Sequence, residues 1–513
     1  MIDALRVFRI APRQMLPDAQ SAERPEALPV LSLRSLTIRA VLFHGIGDLI
    51  PLYALYSLLF ADHGLSTGQI SSLFAIWSTT SFLLEVPSGA WADTVSRRWL
   101  LVFSGVLLTA GFALWTLVPT YLGFALGFVL WGTAGALASG TFEALVYDDL
   151  AARQEQSSYA RILGYTRAAS ETAIVVGIVA ATPLYLWGGY ALIGWASVGF
   201  AALHTVIALS LPSAPKAVSA ADVDELEDEA TPIADKHAST PHGLATDTNR
   251  NTTTDGLANA VGDRAVSGDG DAFGGGVGDR DAAMVRPILD VADAQPGRVG
   301  AAGPFARYLT MLKTGVGESI RVRAVRNGVL LGALLFGITA FDEYFALLAE
   351  SVDVATAVVP LLVGLTVLGS LVGSLLAGRT EGMSGRIMAI AVGIGGVLFL
   401  AGAVIAGLAE HRPSAVYVLT VIGFTEIGIS YGIVYNAGVV AGARLQDAIE
   451  GPARATVTSV SGLLGEVVSL AVFAFAALTT TWWSMSTTLA LLGATILPIA
   501  LLTPSWLPRR HQD

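Results

Sequence analysis

Long apolar runs alternate with short polar breaks along the chain, in two sets on either side of one acidic, glycine-rich gap. A helix rises about 1.5 Å per residue, so roughly 20 apolar residues cross the hydrocarbon core of a bilayer. Six such runs precede the gap, at 37–60, 68–88, 99–118, 121–146, 163–186 and 189–211. Six follow it, at 327–349, 354–377, 386–409, 414–441, 457–480 and 484–507. The pattern predicts an all-α polytopic membrane protein with twelve transmembrane helices in two six-helix bundles. Two matched bundles meeting at mid-membrane suit the movement of a solute by alternating access.

The arginines give this bundle pair an orientation. Odd-to-even connections carry almost no basic residue, Arg412 being the exception. Even-to-odd connections carry Arg97 and Arg98, Arg153 and Arg161, Arg379, and Arg444 and Arg454, and the chain ends with Arg509 and Arg510. Basic loops stay on the cytoplasmic side, so both termini are expected there, in a multi-pass protein of the plasma (inner) membrane. Residues 1–36 read as a cytoplasmic segment containing Arg6, Arg9, Arg13, Arg24 and Arg34. They show no small-residue cleavage site after a short apolar run, and the first span is expected to serve as the insertion signal.

Composition agrees with the pattern and narrows the chemistry. The chain of 513 residues is 53% hydrophobic and 14% charged, against about 25% charged in soluble proteins. It has no cysteine, which excludes disulfides, thiolate metal sites and cysteine nucleophiles. The net charge of −11 belongs mostly to the gap, where residues 213–304 hold 16 Asp and Glu against 7 Lys and Arg. Such a segment cannot bury enough apolar surface to offset its ordering entropy, so 212–304 is expected to be a disordered acidic cytoplasmic linker, a tether first and a regulatory arm second. Its charge repels nucleic acid. Residues 305–326 differ, combining Arg307, Lys313, Arg321, Arg323 and Arg326 with Phe305, Tyr308, Leu309 and Leu312, the makings of an amphipathic cytoplasmic helix. The expected bundles are then 37–211 and 327–507, with a tail at 508–513.

Between the second and third runs the chain reads Glu85-Val-Pro-Ser-Gly89-Ala-Trp-Ala-Asp93-Thr-Val-Ser-Arg97-Arg98. This resembles the loop signature of the major facilitator superfamily, Gly-x-x-x-Asp-x-x-x-Arg-Arg/Lys. A weaker echo stands between the eighth and ninth runs, with Gly382 at the Asp position of Gly378-Arg379-Thr-Glu381-Gly382-Met-Ser-Gly385-Arg386. The stretch Phe142-Glu143-Ala-Leu-Val-Tyr147-Asp148-Asp149, followed by Arg161, looks like drug-efflux-type members. The chain departs from those members in having no arginine in span 4 and no glycine-proline pair near the end of span 5. The resemblance implies a cytoplasmic gate of Gly89, Asp93, Arg97 and Arg98, met by Glu85, Glu143, Asp148 and Arg161, that latches when the protein opens outward. Gly89, lacking a Cβ, would allow close helix approach there.

An ionisable side chain inside a span costs at least about 2.5–3.5 kcal/mol on insertion scales, so each asks for a reason. Asp48 lies near the middle of span 1, with His44 one turn earlier on the same face. It reads as a cavity site for a proton or cation, or as half of a local His–Asp pair. Glu426 in span 10 and Glu466 in span 11 have no basic neighbour on their own helix and are further proton candidates. Asp342 and Glu343 fall in the outer half of span 7, where they could gather a cationic solute or line a polar vestibule. Arg167 and Glu171, four apart, are placed to pair with each other. Tyr53, Tyr56, Trp77, Trp131, Tyr431 and Tyr435 could stack on a lipophilic or cationic compound, though aromatics at helical spacing more often pack. The spacings Gly132–Gly135 and Gly369–Gly373 allow helices to pack closely and slide.

These features lead to one expectation: a secondary active transporter, proton-coupled, exporting small amphipathic or drug-like molecules. Import or export of a metabolite is the alternative, and a non-transporting membrane sensor a remote one. Neither a phosphate-binding loop of the Gly-x-x-x-x-Gly-Lys-Ser/Thr type nor a convergent nucleophile, base or metal set is present, so no enzyme activity, cofactor or metal site is expected. The partners expected are a small-molecule substrate, protons and the bilayer, with the chain a monomer.

Overall fold

The structure, a computed structural model, describes residues 32–213, 322–449 and 454–508. Among them the chain makes twelve crossings, here α1 to α12. The first six are α1 (Leu33–Asp62), α2 (Thr67–Thr94), α3 (Arg97–Leu117), α4 (Tyr121–Arg153), α5 (159–187) and α6 (190–210). The second six are α7 (Arg323–Glu350), α8 (Val359–Thr380), α9 (Gly385–Leu408), α10 (Val416–Ala448), α11 (Arg454–Thr479) and α12 (Met485–Trp506). Each expected span lies on one of these helices. The acidic linker and most of the expected amphipathic segment lie outside the described residues, but Arg323 and Arg326 belong to the first turns of α7.

Local chemistry sets the ends. Ser66 and Gln69 cap the start of α2 reciprocally, which satisfies two orphan N–H groups at once. Pro360 sits in the first turn of α8, where its missing N–H costs nothing. The α5–α6 turn is only Gly188–Gly189, and Gly189 takes a φ of 59°, a left-handed conformation open to glycine. By length and apolar composition ten described stretches qualify as crossings, residues 156–210 being two in succession. The remaining crossing, α2, is diluted by Ser71, Ser72, Ser78, Thr79, Thr80 and Ser81.

An even number of crossings brings Ser32, Ser213, Val322 and Pro508 to one face of the molecule, called here the terminal face. The main apolar core runs through both bundles, with Phe60, Phe74, Phe124 and Phe128 in one and Phe341, Phe345, Phe399 and Phe424 in the other. Glycines set the closest helix contacts. A methyl group on Gly369 of α8 would fall on the carbonyl oxygen of Gly428 in α10, and one on Gly373 on that of Gly432. Backbones this close gain dispersion energy that a larger side chain would forbid.

Candidate functional site

Each bundle begins with a helix that breaks partway across. In α1, regular helix ends at Gly47, Asp48 caps it, a 3₁₀ turn covers Pro51–Ala54, and helix resumes over Tyr56–Asp62. Pro51 has no N–H, and its ring cannot sit against the carbonyl four residues back. The freed N–H of Leu52 donates to Ser197 Oγ of α6 at 3.1 Å, as a broken helix in lipid requires. In α7, helix ends at Gly337, and a 3₁₀ stretch, Ile338–Tyr344, carries Asp342, Glu343 and Tyr344. Broken helices placed alike in two halves are the usual scaffold of a mid-membrane binding site.

The intramembrane carboxylates at these breaks meet hydroxyls rather than cations. Ser170 of α5 donates to Asp48, and Tyr431 of α10 donates to Asp342 at 2.7 Å. Both bonds lie within a bundle. Two others cross between bundles: Tyr56 of α1 donates to Glu343, and Ser78 of α2 to Glu466 of α11. Beside them Ser71 Oγ and Tyr344 Oη share a hydrogen bond of 2.7 Å. A hydroxyl can donate to a carboxylate or accept from a carboxylic acid, so each pair persists whether or not the acid holds a proton.

The crossing contacts gather away from the terminal face. Phe74 of α2 and Phe473 of α11 approach to 5.5 Å between ring centroids, and Gly364 of α8 lies against Ile178 of α5. Further along α2, on the stripe that carries Ser71, Phe74 and Ser78, Glu85 is exposed, and among the described residues nothing lies within 4 Å of a methyl group placed on Gly89. Gly462, one turn beyond Glu466 on α11, is equally open. The bundles therefore close at the opposite face and splay toward the terminal face. Among the described residues the close helix approach expected at Gly89 is not made.

The cleft so formed is lined by polar groups from both halves. Tyr435 of α10 is in electrostatic reach of Glu171 and Arg167 of α5 and of Asp342, and Glu171 is in reach of Asp48. Three acids, Asp48, Glu171 and Asp342, thus share this neighbourhood with one arginine, Arg167. Arg167 and Glu171 do not close into the expected ion pair, and Arg167 stays exposed. The aromatics mostly pack on one another. Trp131 stacks on Tyr53 at 5.2 Å and 9° and on Trp77 at 5.2 Å and 29°, which occupies its faces.

At the terminal face the motif arginine is engaged within its own bundle. Arg97, 4% exposed, pairs with Asp148 of α4, 2% exposed, at 2.5 Å and also donates to the Ala144 carbonyl. Asp149 pairs with Arg153, and Arg161 donates to Ser158. In the second bundle the polarity is reversed: Arg444 of α10 donates to the carbonyls of Glu381 and Met383 in the α8–α9 connection. The side chain of Asp93 lies outside the described residues. Glu85 and Glu143 have interactions of their own, and Arg98 stands over the Trp99 ring.

Several sequence expectations change on this geometry. His44 does not pair with Asp48; its ring meets Phe142 edge-on at 4.3 Å, while His204 is a core histidine bonded to the Phe43 carbonyl. Glu343 lies in the closed seam, bonded by Tyr56, and Asp342 turns to Tyr431 on the cleft side, so the two do not line an open outer vestibule. Glu466 has a partner, supplied by the other bundle. Glu426 stands about 140° around α10 from Tyr431, against Gly402 of α9, with one carboxylate oxygen buried and unbonded among the described residues. It is not part of the cleft. Sequence reading missed Ser78 and Ser170 as carboxylate partners, the bond between Ser71 and Tyr344, and both helix breaks. Pro51 inside a run was the available signal for the first break; the second has no proline.

Residues 40–445 match the family model described as Major Facilitator Superfamily. Among curated proteins no sequence matches the chain. Among solved structures the chain is similar to a mutant of the nucleoside transporter NupG, with a TM-score of 0.59 and 12% identity over 92% of this chain and 99% of that one. It is also similar to a D-xylose-proton symporter, with a TM-score of 0.56 and 13% identity over 93% and 98%. At such identities the likeness speaks for the fold.

Proposed function

The chain belongs to the Major Facilitator Superfamily, and from that premise we propose that it is a proton-coupled secondary transporter of small organic solutes. It is a multi-pass membrane protein whose two bundles would rock about the cleft between Asp48 and Asp342. The observation that carries the coupling is the set of hydroxyl-bonded carboxylates, two within the bundles and two between them. A carboxylate paired with a hydroxyl can gain or lose a proton without breaking an ion pair. Where the hydroxyl belongs to the other bundle, the proton changes the strength of the bond that holds the opposite face shut, because charge-assisted bonds are roughly twice as strong as neutral ones.

The terminal face is taken as cytoplasmic, since Arg97, Arg98, Arg153, Arg161, Arg379, Arg386 and Arg444 lie toward it. The structure is then an inward-open state. An excess of acids over bases favours a cationic or amphipathic solute, and export of such compounds is the first reading. Uptake of a hydroxylated solute is the second. It is favoured by the serine and tyrosine hydroxyls along the cleft and by neighbours that transport nucleosides or symport D-xylose with protons.

The test is reconstitution in proteoliposomes with an entrapped pH indicator, challenged with organic cations, nucleosides and sugars. One class should move protons as it crosses, and Asp342→Asn should lose the proton signal. Solute flux that ignores an imposed proton gradient in the wild-type chain would overturn the coupling.

A further inference from the structure

Apart from the cleft, the second bundle carries a groove of about 460 Å³ on its flank. It forms because α8 and α9 both lie along α10 yet scarcely touch each other. The floor is α10, with Ile429 and Ile433 beside the glycine contacts that draw α8 in. Val372 and Leu376 of α8, 47% and 39% exposed, form one wall, and Met388 and Val392 of α9 the other. Along α8 the lining runs from Leu365 to Thr380, about 22 Å at helical rise. That exceeds half of a hydrocarbon core of roughly 30 Å, the depth of one leaflet. Its few polar groups are already used: Asn436 donates to the Gly373 carbonyl and accepts from Thr380.

The end at the terminal face is basic. Arg379 in the last turn of α8 and Arg386 in the first turn of α9 are both exposed. They flank the connection that closes the groove. The connection itself is held from below by the buried Arg444, which donates to the main-chain carbonyl of Glu381 at 2.6 Å. An apolar slot one leaflet deep beneath paired cations is complementary to one kind of molecule.

We propose that an anionic glycerophospholipid of the adjoining leaflet is retained here, an acyl chain between α8 and α9 and the phosphate at Arg379 and Arg386. The chain fills the space that α8 and α9 leave open beside the glycine seam, so the lipid completes the packing of the second bundle.

The full-length protein in nanodiscs of equimolar phosphatidylglycerol and phosphatidylcholine, released into native mass spectrometry, tests this. The wild-type chain should retain phosphatidylglycerol in preference. Arg379→Gln with Arg386→Gln should lower that preference by about fivefold per arginine. Val372→Trp should cut retention of both lipids, and Leu376→Phe fills the same groove where the tryptophan variant does not fold. Equal retention of the two lipids by the wild-type chain, an undiminished preference in the double variant, or unchanged retention in a folded groove-filling variant would each overturn the proposal.

Discussion

Tyr56, in the resumed helix of α1, donates its phenolic hydrogen to Glu343 in the 3₁₀ stretch of α7. The bond ties the two broken helices to each other across the bundles. It sits beside the Ser71–Tyr344 bond, and together they make the seam at the opposite face polar at its centre and aromatic around it. A seam held by a few hydrogen bonds within an otherwise apolar contact can be opened by changing one of them.

Tyr56→Phe keeps the ring and removes that bond. A hydrogen bond to a charged group is worth about 1.5–3 kcal/mol, so the ratio of closed to open seam should fall by about tenfold or more. The cysteine-free sequence makes this measurable: Gly364→Cys places one thiol at the seam beside Ile178. Maleimide should label that thiol faster when Tyr56→Phe is added. Equal rates would show that the seam is held by packing alone.

Asp342 and Glu426 separate two meanings of an intramembrane acid. Asp342 faces the cleft through Tyr431, whereas Glu426 faces α9. Asp342→Asn should abolish solute-driven proton movement in proteoliposomes while solute exchange, which needs no net proton transfer, continues. Glu426→Gln should leave both intact. Loss of proton movement in the Glu426 variant would return that residue to the mechanism.

The membrane architecture was legible because hydrophobic length is a strong constraint: every expected run became a crossing. Charges inside those runs were legible as anomalies, and Asp48, Asp342 and Glu343 do lie at the helix breaks. Their partners were not. Ser170 stands 122 residues from Asp48 and Tyr56 stands 287 from Glu343, and one sequence carries no record of such pairs. The facing of Glu426 was not legible either: the want of a basic neighbour on its own helix made it a proton candidate, but the cleft-facing side of a helix apolar on all sides cannot be told from its other sides. The motif glycine, Gly89, offers a surface without a Cβ, but among the described residues no partner is packed on it.

The glycine seam between α8 and α10 predicts a graded loss of stability. A methyl group on Gly369 would collide with the Gly428 carbonyl, while one on Gly462 meets nothing within 4 Å among the described residues. Overpacking a tight contact costs about 1–3 kcal/mol. Gly369→Ala should therefore lower the melting temperature in detergent, followed by fluorescence-detected size exclusion, and Gly462→Ala should not. Similar melting of both variants would mean that α8 and α10 can separate without cost.

The pair Arg97–Asp148 predicts asymmetry between two adjacent acids. Both members are nearly inaccessible, and removing one partner of a buried pair typically costs about 3–5 kcal/mol because the other charge is left behind. Asp149 pairs with Arg153 in a more open setting, with side chains 8% and 11% exposed, where water can take over. Asp148→Asn should thus reduce the yield of folded protein and its melting temperature well beyond Asp149→Asn. The exchanged pair, Arg97→Asp with Asp148→Arg, should not rescue it fully, because Arg97 also donates to the Ala144 carbonyl and an aspartate there has no hydrogen to give. Comparing the three variants by thermal melting decides the matter: equal losses for the two acids would mean that water reaches the Arg97 site, and that the pair anchors α3 to α4 no more firmly than a surface contact.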